Sequence, residues 1–100
     1  MAEIIWTAPA VNELDAIADY IALDKPDAAK RLVKSVFDAV AHLARFPKMG
    51  RRIPELRSSP YLELVVTPCR LFYRESDNSI SIVFVIRGER EFKPEFLQQY

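Results

Sequence analysis

Residues 51–74, RRIPELRSSPYLELVVTPCRLFYR, decide how the chain reads. They open on a basic, proline-broken loop carrying Arg51, Arg52 and Arg57. Two β-type runs follow, Tyr61 to Val66 and Cys69 to Arg74, parted by Thr67-Pro68. Strict alternation in the second run sets Arg70, Phe72 and Arg74 on one side and Cys69, Leu71 and Tyr73 on the other. Two arginines flanking an aromatic ring on one sheet face make a candidate working surface. In the first run Leu62, Leu64 and Val66 share a face, with Tyr61, Glu63 and Val65 behind them.

Downstream, Glu75-Ser76-Asp77-Asn78-Ser79 has turn chemistry and joins the Cys69 run to a strongly β stretch, Ile80 to Ile86, as a hairpin. Alternation there predicts a core face of Ile80, Ile82, Phe84 and Ile86, with Ser81, Val83, Val85 and Arg87 behind. The tail from Gly88 admits either one helical turn near Pro94 or an edge segment.

Upstream, Glu3 to Thr7 reads as a short strand with Ile4 and Trp6 inward. Thr7 before Ala8-Pro9 is a helix start, and Ala10, Leu14, Ile17 and Ile21 then recur at helical spacing. Asp24-Lys25-Pro26-Asp27 ends that helix and starts another, because proline suits the first helical position and not the interior. The second helix carries Ala29, Leu32, Val33, Val36, Phe37, Val40 and Leu43 on one side. So short a link makes a helical hairpin, closed by Phe46-Pro47-Lys48-Met49-Gly50.

The order β-α-α-β-β-β predicts an α+β fold, with the helical hairpin on one face of a small antiparallel sheet. The opposite face is expected to show Val65, Phe72, Val83 and Val85 ringed by Arg70, Arg74 and Arg87. With no further helix to cover it, that face implies a partner.

A chain of 100 residues that is half hydrophobic fits a single domain over residues 1–100. Folding at this size removes roughly 60 to 65% of the unfolded surface from water, which leaves little margin. The sole cysteine, Cys69, cannot form an internal disulfide and reads as a small buried thiol. The opening MAEIIW has neither a basic start nor an apolar core, and no apolar run reaches the ~20 residues a bilayer span needs. A cytoplasmic protein is expected.

Net charge is zero, which argues against bulk electrostatic binding to nucleic acid. The positive excess lies between residues 47 and 74, with 6 Lys/Arg against 2 Asp/Glu. An anionic ligand or acidic partner would meet the protein there. His42 lies on the second helix beside Leu43 without an adjacent carboxylate or cysteine, and reads as an ordinary helical residue. No cofactor or metal is implied.

Taken in order, a strand ending WT, a helix with LDAIADYI, a turn DKPDAA, then FPKMGRRIPEL, YLELVVTPCRLFYR and IVFVIRGER resemble the RelE/ParE superfamily of bacterial toxins. The resemblance spans nearly the whole chain. It implies a toxin of a type II toxin-antitoxin system, neutralised by a cognate small antitoxin whose disordered tail folds over it. RelE-like members cut messenger RNA in the ribosome, and ParE-like members poison DNA gyrase.

The RelE-type site resembles two lysines on one strand, an arginine on the next, an arginine after the last strand and a tyrosine in the tail. Here the lysine positions fall on Tyr61 and Glu63, the arginines on Arg70 and Arg90, and the tyrosine on Phe96. RNA cleavage through the 2′-hydroxyl needs a base, donors for the phosphorane and an acid. Arg70 and Arg90 could hold phosphate charge, but arginine is a poor base and Phe96 transfers no proton.

The residues therefore favour a ParE-like inhibitor of gyrase that acts by binding, over a ribosome-dependent endoribonuclease built on Arg70 and Arg90. Candidate residues for binding target or antitoxin are Arg51, Arg52, Arg57, Arg70, Phe72, Arg74, Arg87 and Arg90. A solvated or Glu63-paired role for Arg70 and Arg74 stands beside that reading. A decayed toxin that only binds antitoxin is the third alternative. No DNA-recognition helix or basic arm is visible, so operator binding is expected of the partner.

Overall fold

Thr7 ties three parts of the molecule together. Its oxygen accepts the Ala10 N–H at 3.3 Å, capping a helix, while its hydroxyl donates to the Ile82 carbonyl at 2.9 Å on a distant strand. The computed structural model describes residues 1–97, and the last three positions of the tail lie outside the described residues. The elements are β1 (Glu3–Trp6), α1 (Ala8–Ala22), α2 (Pro26–Arg45), β2 (Arg51–Arg52), β3 (Leu62–Val66), β4 (Cys69–Ser76) and β5 (Ser79–Arg87). A 3-10 turn at Pro94–Leu97 follows, the helical alternative for the tail.

Both helices form where the proline and capping signals place them. Pro9 lies in the first turn of α1, and Pro26 opens α2, where a missing N–H costs nothing. Asp27 in the first turn of α2 and Arg45 in its last complement the helix dipole. Ala10, Leu14 and Ile17 of α1 join Leu32, Val36, Val40 and Leu43 of α2 in one core. Phe37 departs from expectation: it is 49% exposed and rests against Trp6, with ring centroids 5.1 Å apart.

The five strands lie in the order β1-β5-β4-β3-β2. β1 runs parallel to β5, and the remaining pairs are antiparallel. The sheet is therefore mixed at one edge, because the chain crosses through the helical hairpin between β1 and the rest. A two-residue turn, Asp77-Asn78, links β4 to β5, with Asp77 in the left-handed region at φ 27°.

Alternation fails in β5. Phe72 pairs with Phe84 and the next residue, Tyr73, pairs with Ile82, so Val83 is an extra residue in a β-bulge. Ile80, Ile82 and Val85 enter the core beneath the helices, whereas Val83, Phe84 and Ile86 turn to the opposite face. The expected set of Ile80, Ile82, Phe84 and Ile86 is thus split between two faces. Arg87 is carried with it to the helical side, where it lines a cavity of about 380 Å³ with Tyr20, Ile21, Leu23, Asp24 and Lys25.

The second face is not left open. Phe72, Val83, Phe84 and Ile86 are covered by Ile53 from the loop after β2 and by Phe92 and Leu97 from the tail. This corrects the expectation of an apolar face that only a partner could cover. Phe72 and Ile53 are fully buried, each contributing about 1.5–3 kcal/mol by transfer from water.

Candidate functional site

Four charged residues of the 51–74 stretch, Arg51, Glu55, Glu63 and Arg70, form one network around Arg70. β3 presents Glu63 and Val65 on the same face as Arg70 and Phe72 of β4, with Glu63 opposite Phe72 and Val65 opposite Arg70. The diagonal brings Arg70 Nη2 to 2.7 Å from Glu63 Oε1 and its Nε to 3.3 Å from Glu63 Oε2. From the loop between β2 and β3, Glu55 meets the other edge of the guanidinium at 3.0 and 2.7 Å, a bidentate pair. Arg51 Nη2 donates to Glu63 Oε2 at 3.2 Å.

Each charge in this network has a partner of opposite sign. The Glu63 side chain is fully enclosed, and enclosure of a carboxylate is sustained by the two guanidinium groups upon it. Hydrogen bonds from Arg70 hold the Glu55 carboxyl below its usual range, and those to Glu55 and then Glu63 raise Arg70 further above its own. Rings of Phe72 and Phe92 lie 5.2 and 5.9 Å from the Arg70 guanidinium carbon.

Arg90 sits at the far end of the same aromatic group. Its guanidinium lies 4.8 Å from the Phe96 ring and 5.8 Å from Phe84, and its Nη1 reaches Glu13 of α1 at 3.5 Å. Phe96 stacks on Phe84 with centroids 4.5 Å apart, and Phe72 meets Phe92 edge-on at 5.1 Å. Four phenylalanines therefore stand between the two arginines that a nuclease reading would use.

The other candidates scatter. Arg52 donates to the Arg57 carbonyl at 3.1 Å, and both side chains face solvent. Arg74 is exposed opposite Ser81. Phe72 is wholly buried and offers nothing to a partner. Arg87 lies on the helical side, its Nε 3.0 Å from Glu89 Oε1 without hydrogen-bond alignment, and so does not join Arg70 and Arg74. Cys69 is buried with its thiol pushed up by burial, and His42 is exposed.

The sequence offered a Glu63 pairing of Arg70 only as an alternative to a binding role, and missed Glu55 altogether. Its only signal was an acidic residue inside an otherwise basic loop. Behind the network, buried Tyr73 fixes the link from α2: its hydroxyl donates to the Pro47 carbonyl at 2.8 Å and accepts the Gly50 N–H at 3.0 Å. Among the described residues no group of three His, Cys, Asp or Glu side chains is placed to hold a metal ion. No helix there is long and apolar enough to cross a membrane.

Two helices on one face of a five-stranded sheet, with a paired arginine near its centre, make a small α+β fold. Residues 4–92 match the family model of the ParE toxin of type II toxin-antitoxin systems, and the chain belongs to that family. It is 35% identical over 91 residues to Toxin RelE2 of Caulobacter vibrioides, covering 90% of this chain and 99% of that one. To the putative toxin Y4kP of Sinorhizobium fredii it is 36% identical over 89 residues, 89% of this chain and 91% of the relative. A solved chain of the chromosomal ParDE toxin-antitoxin system from P. aeruginosa superposes with a TM-score of 0.71 at 25% identity, over 89% of this chain and 98% of that one.

Proposed function

We propose that this toxin acts in the cytoplasm by binding DNA gyrase and arresting replication, and that a cognate antitoxin neutralises it. The observation that carries the reading is the closure of Arg70 between Glu55 and Glu63. A phosphate-stabilising arginine must present free donors to the reacting phosphate, and four of the five N–H donors of Arg70 are turned to Glu55 and Glu63. Glu63, in a position where a nuclease would carry lysine, is enclosed, and Phe96 is occupied by stacking on Phe84.

What remains on the surface suits protein binding. Arg52, Arg57 and Arg74 are exposed cations, and Val65 and Met49 are exposed apolar side chains near Arg51. Expression without antitoxin tests the reading. Growth is expected to stop, with incorporation of DNA precursors falling before incorporation of amino acids. The reverse order would favour the ribosome-dependent endoribonuclease, and undisturbed growth would mark a chain that only binds antitoxin.

A further inference from the structure

Residues 39–54 carry four Lys/Arg and no Asp/Glu, in a chain whose net charge is zero. Two large apolar side chains are exposed within that stretch, Phe46 at 59% and Met49 at 45%, on the loop that joins α2 to β2. Every other exposed large apolar side chain among the described residues has an Asp or Glu within two positions of it in the chain. Exposed apolar surface and a run of positive charge therefore coincide on this loop.

The backbone holds that exposure in place. The Phe46 N–H donates to the His42 carbonyl at 2.9 Å, and the Met49 N–H to the Phe46 carbonyl at 3.0 Å. Tyr73 clamps the loop at the Pro47 carbonyl and the Gly50 N–H, and Gly50 lies so close to the Tyr73 ring that no Cβ fits between them. Phe46 and Met49 cannot fold inward without breaking these contacts. A partner meets them already ordered, which lowers the entropy cost of association.

Arg45, Phe46, Pro47, Lys48, Met49 and Glu75 line an open depression of about 570 Å³, and Met49 continues the apolar surface toward Val65 in a second one. Arg45 and Lys48 are exposed at the rim, where Lys48 reaches Glu75 at 3.5 Å in a solvated pair that a partner carboxylate can readily replace. A surface apolar at its centre and cationic at its rim complements an apolar cleft edged by carboxylates on a folded protein. A phosphate backbone would use the cations and leave Phe46 and Met49 in water.

We infer that the loop from Arg45 to Arg52 is the surface by which this toxin grips its target protein, seating Phe46 and Met49 in an apolar cleft edged by acidic side chains. The inference rests on the binding reading above and adds the contact surface to it. With Arg70 paired and Phe72 buried, it places the grip away from the centre of the sheet.

The test is inhibition of gyrase supercoiling by the full chain and three variants, with the thermal midpoint of each recorded alongside. Phe46→Ser with Met49→Ser is expected to raise the toxin concentration for half inhibition roughly tenfold. Lys48→Glu, at a fully solvated position, is expected to raise it about threefold and is read alone if the double variant melts early. Tyr20→Ser with Leu23→Ser, an exposed apolar pair at the end of α1, is expected to inhibit as wild type does. Loop variants that inhibit at the wild-type concentration would overturn the inference and leave the binding reading standing, whereas wild-type toxin without effect would sink both. Loss of inhibition in Lys48→Glu but not in the Phe46 and Met49 variant, with the toxin retarding plasmid fragments in a gel without gyrase, would overturn it in favour of a nucleic-acid surface.

Discussion

Arg70 holds Glu63 at 2.7 Å on the face of the sheet away from the helices, and the Glu63 side chain is wholly enclosed there. A carboxylate in that position depends on its guanidinium partners, of which Arg51 is largely exposed and Arg70 is not. Arg70→Ala is therefore expected to destabilise the fold by about 3–5 kcal/mol. Replacing both residues together, as Glu63→Gln with Arg70→Met, is expected to cost less than Arg70→Ala alone. Urea unfolding of the three variants measures this. A loss below 1 kcal/mol for Arg70→Ala would show that the pair is not structural.

Gly50 passes directly over Tyr73. A Cβ at Gly50 would strike the Tyr73 ring and hydroxyl and lie 2.7 Å from the Glu63 carbonyl oxygen. Gly50→Ala is expected to cost about 1–3 kcal/mol by overpacking. Tyr73→Phe removes one donor and one acceptor from the link after α2 and is expected to cost about 1–3 kcal/mol. In thermal melts both variants are expected to unfold earlier than wild type, and an unchanged midpoint for Gly50→Ala would refute the contact.

Acid is expected to loosen the Glu55 loop. Arg70 holds the folded-state Glu55 carboxyl below its ordinary value of 4.5. A depressed carboxyl stabilises the fold above that value, and the contribution is lost as pH falls through the lower folded-state value. Wild type is thus expected to melt higher than Glu55→Gln at pH 7, with the gap closing toward pH 3. A gap of equal size at both pH values would contradict the pairing.

Cys69 is fully buried in β4, and burial pushes its thiol above its ordinary value. Labelling by an aromatic disulfide reagent at pH 7.5 is expected to be slower by at least a factor on the order of a hundred in the native protein than in denaturant. Rapid native labelling would show that the strand opens locally.

Much of this architecture was legible because the helices and β3–β4 obey single periods. Thr7, Pro9 and Pro26 mark helix starts by their own chemistry, and the stripe from Ala10 to Ile17 permits one buried face. β5 resisted for the opposite reason. Its residues from Ile82 to Ile86 are apolar without exception, so the extra Val83 left no trace in the pattern and sent Phe84, Ile86 and Arg87 to unexpected sides. Ile53 and Phe92 cover the second face from segments without periodicity, where burial cannot be read from spacing. Strand neighbours made an Arg70–Glu63 pair one of the open alternatives, whereas Glu55 reaches Arg70 only through the path of a loop.

The most direct measurement is supercoiling of relaxed plasmid by purified gyrase in the presence of a stoichiometric excess of this toxin. The binding account predicts inhibited supercoiling and accumulation of cleaved gyrase–DNA complexes, both reversed by the cognate antitoxin. Undisturbed supercoiling, together with messenger cleavage in a translating extract that Arg90→Ala abolishes, would contradict it.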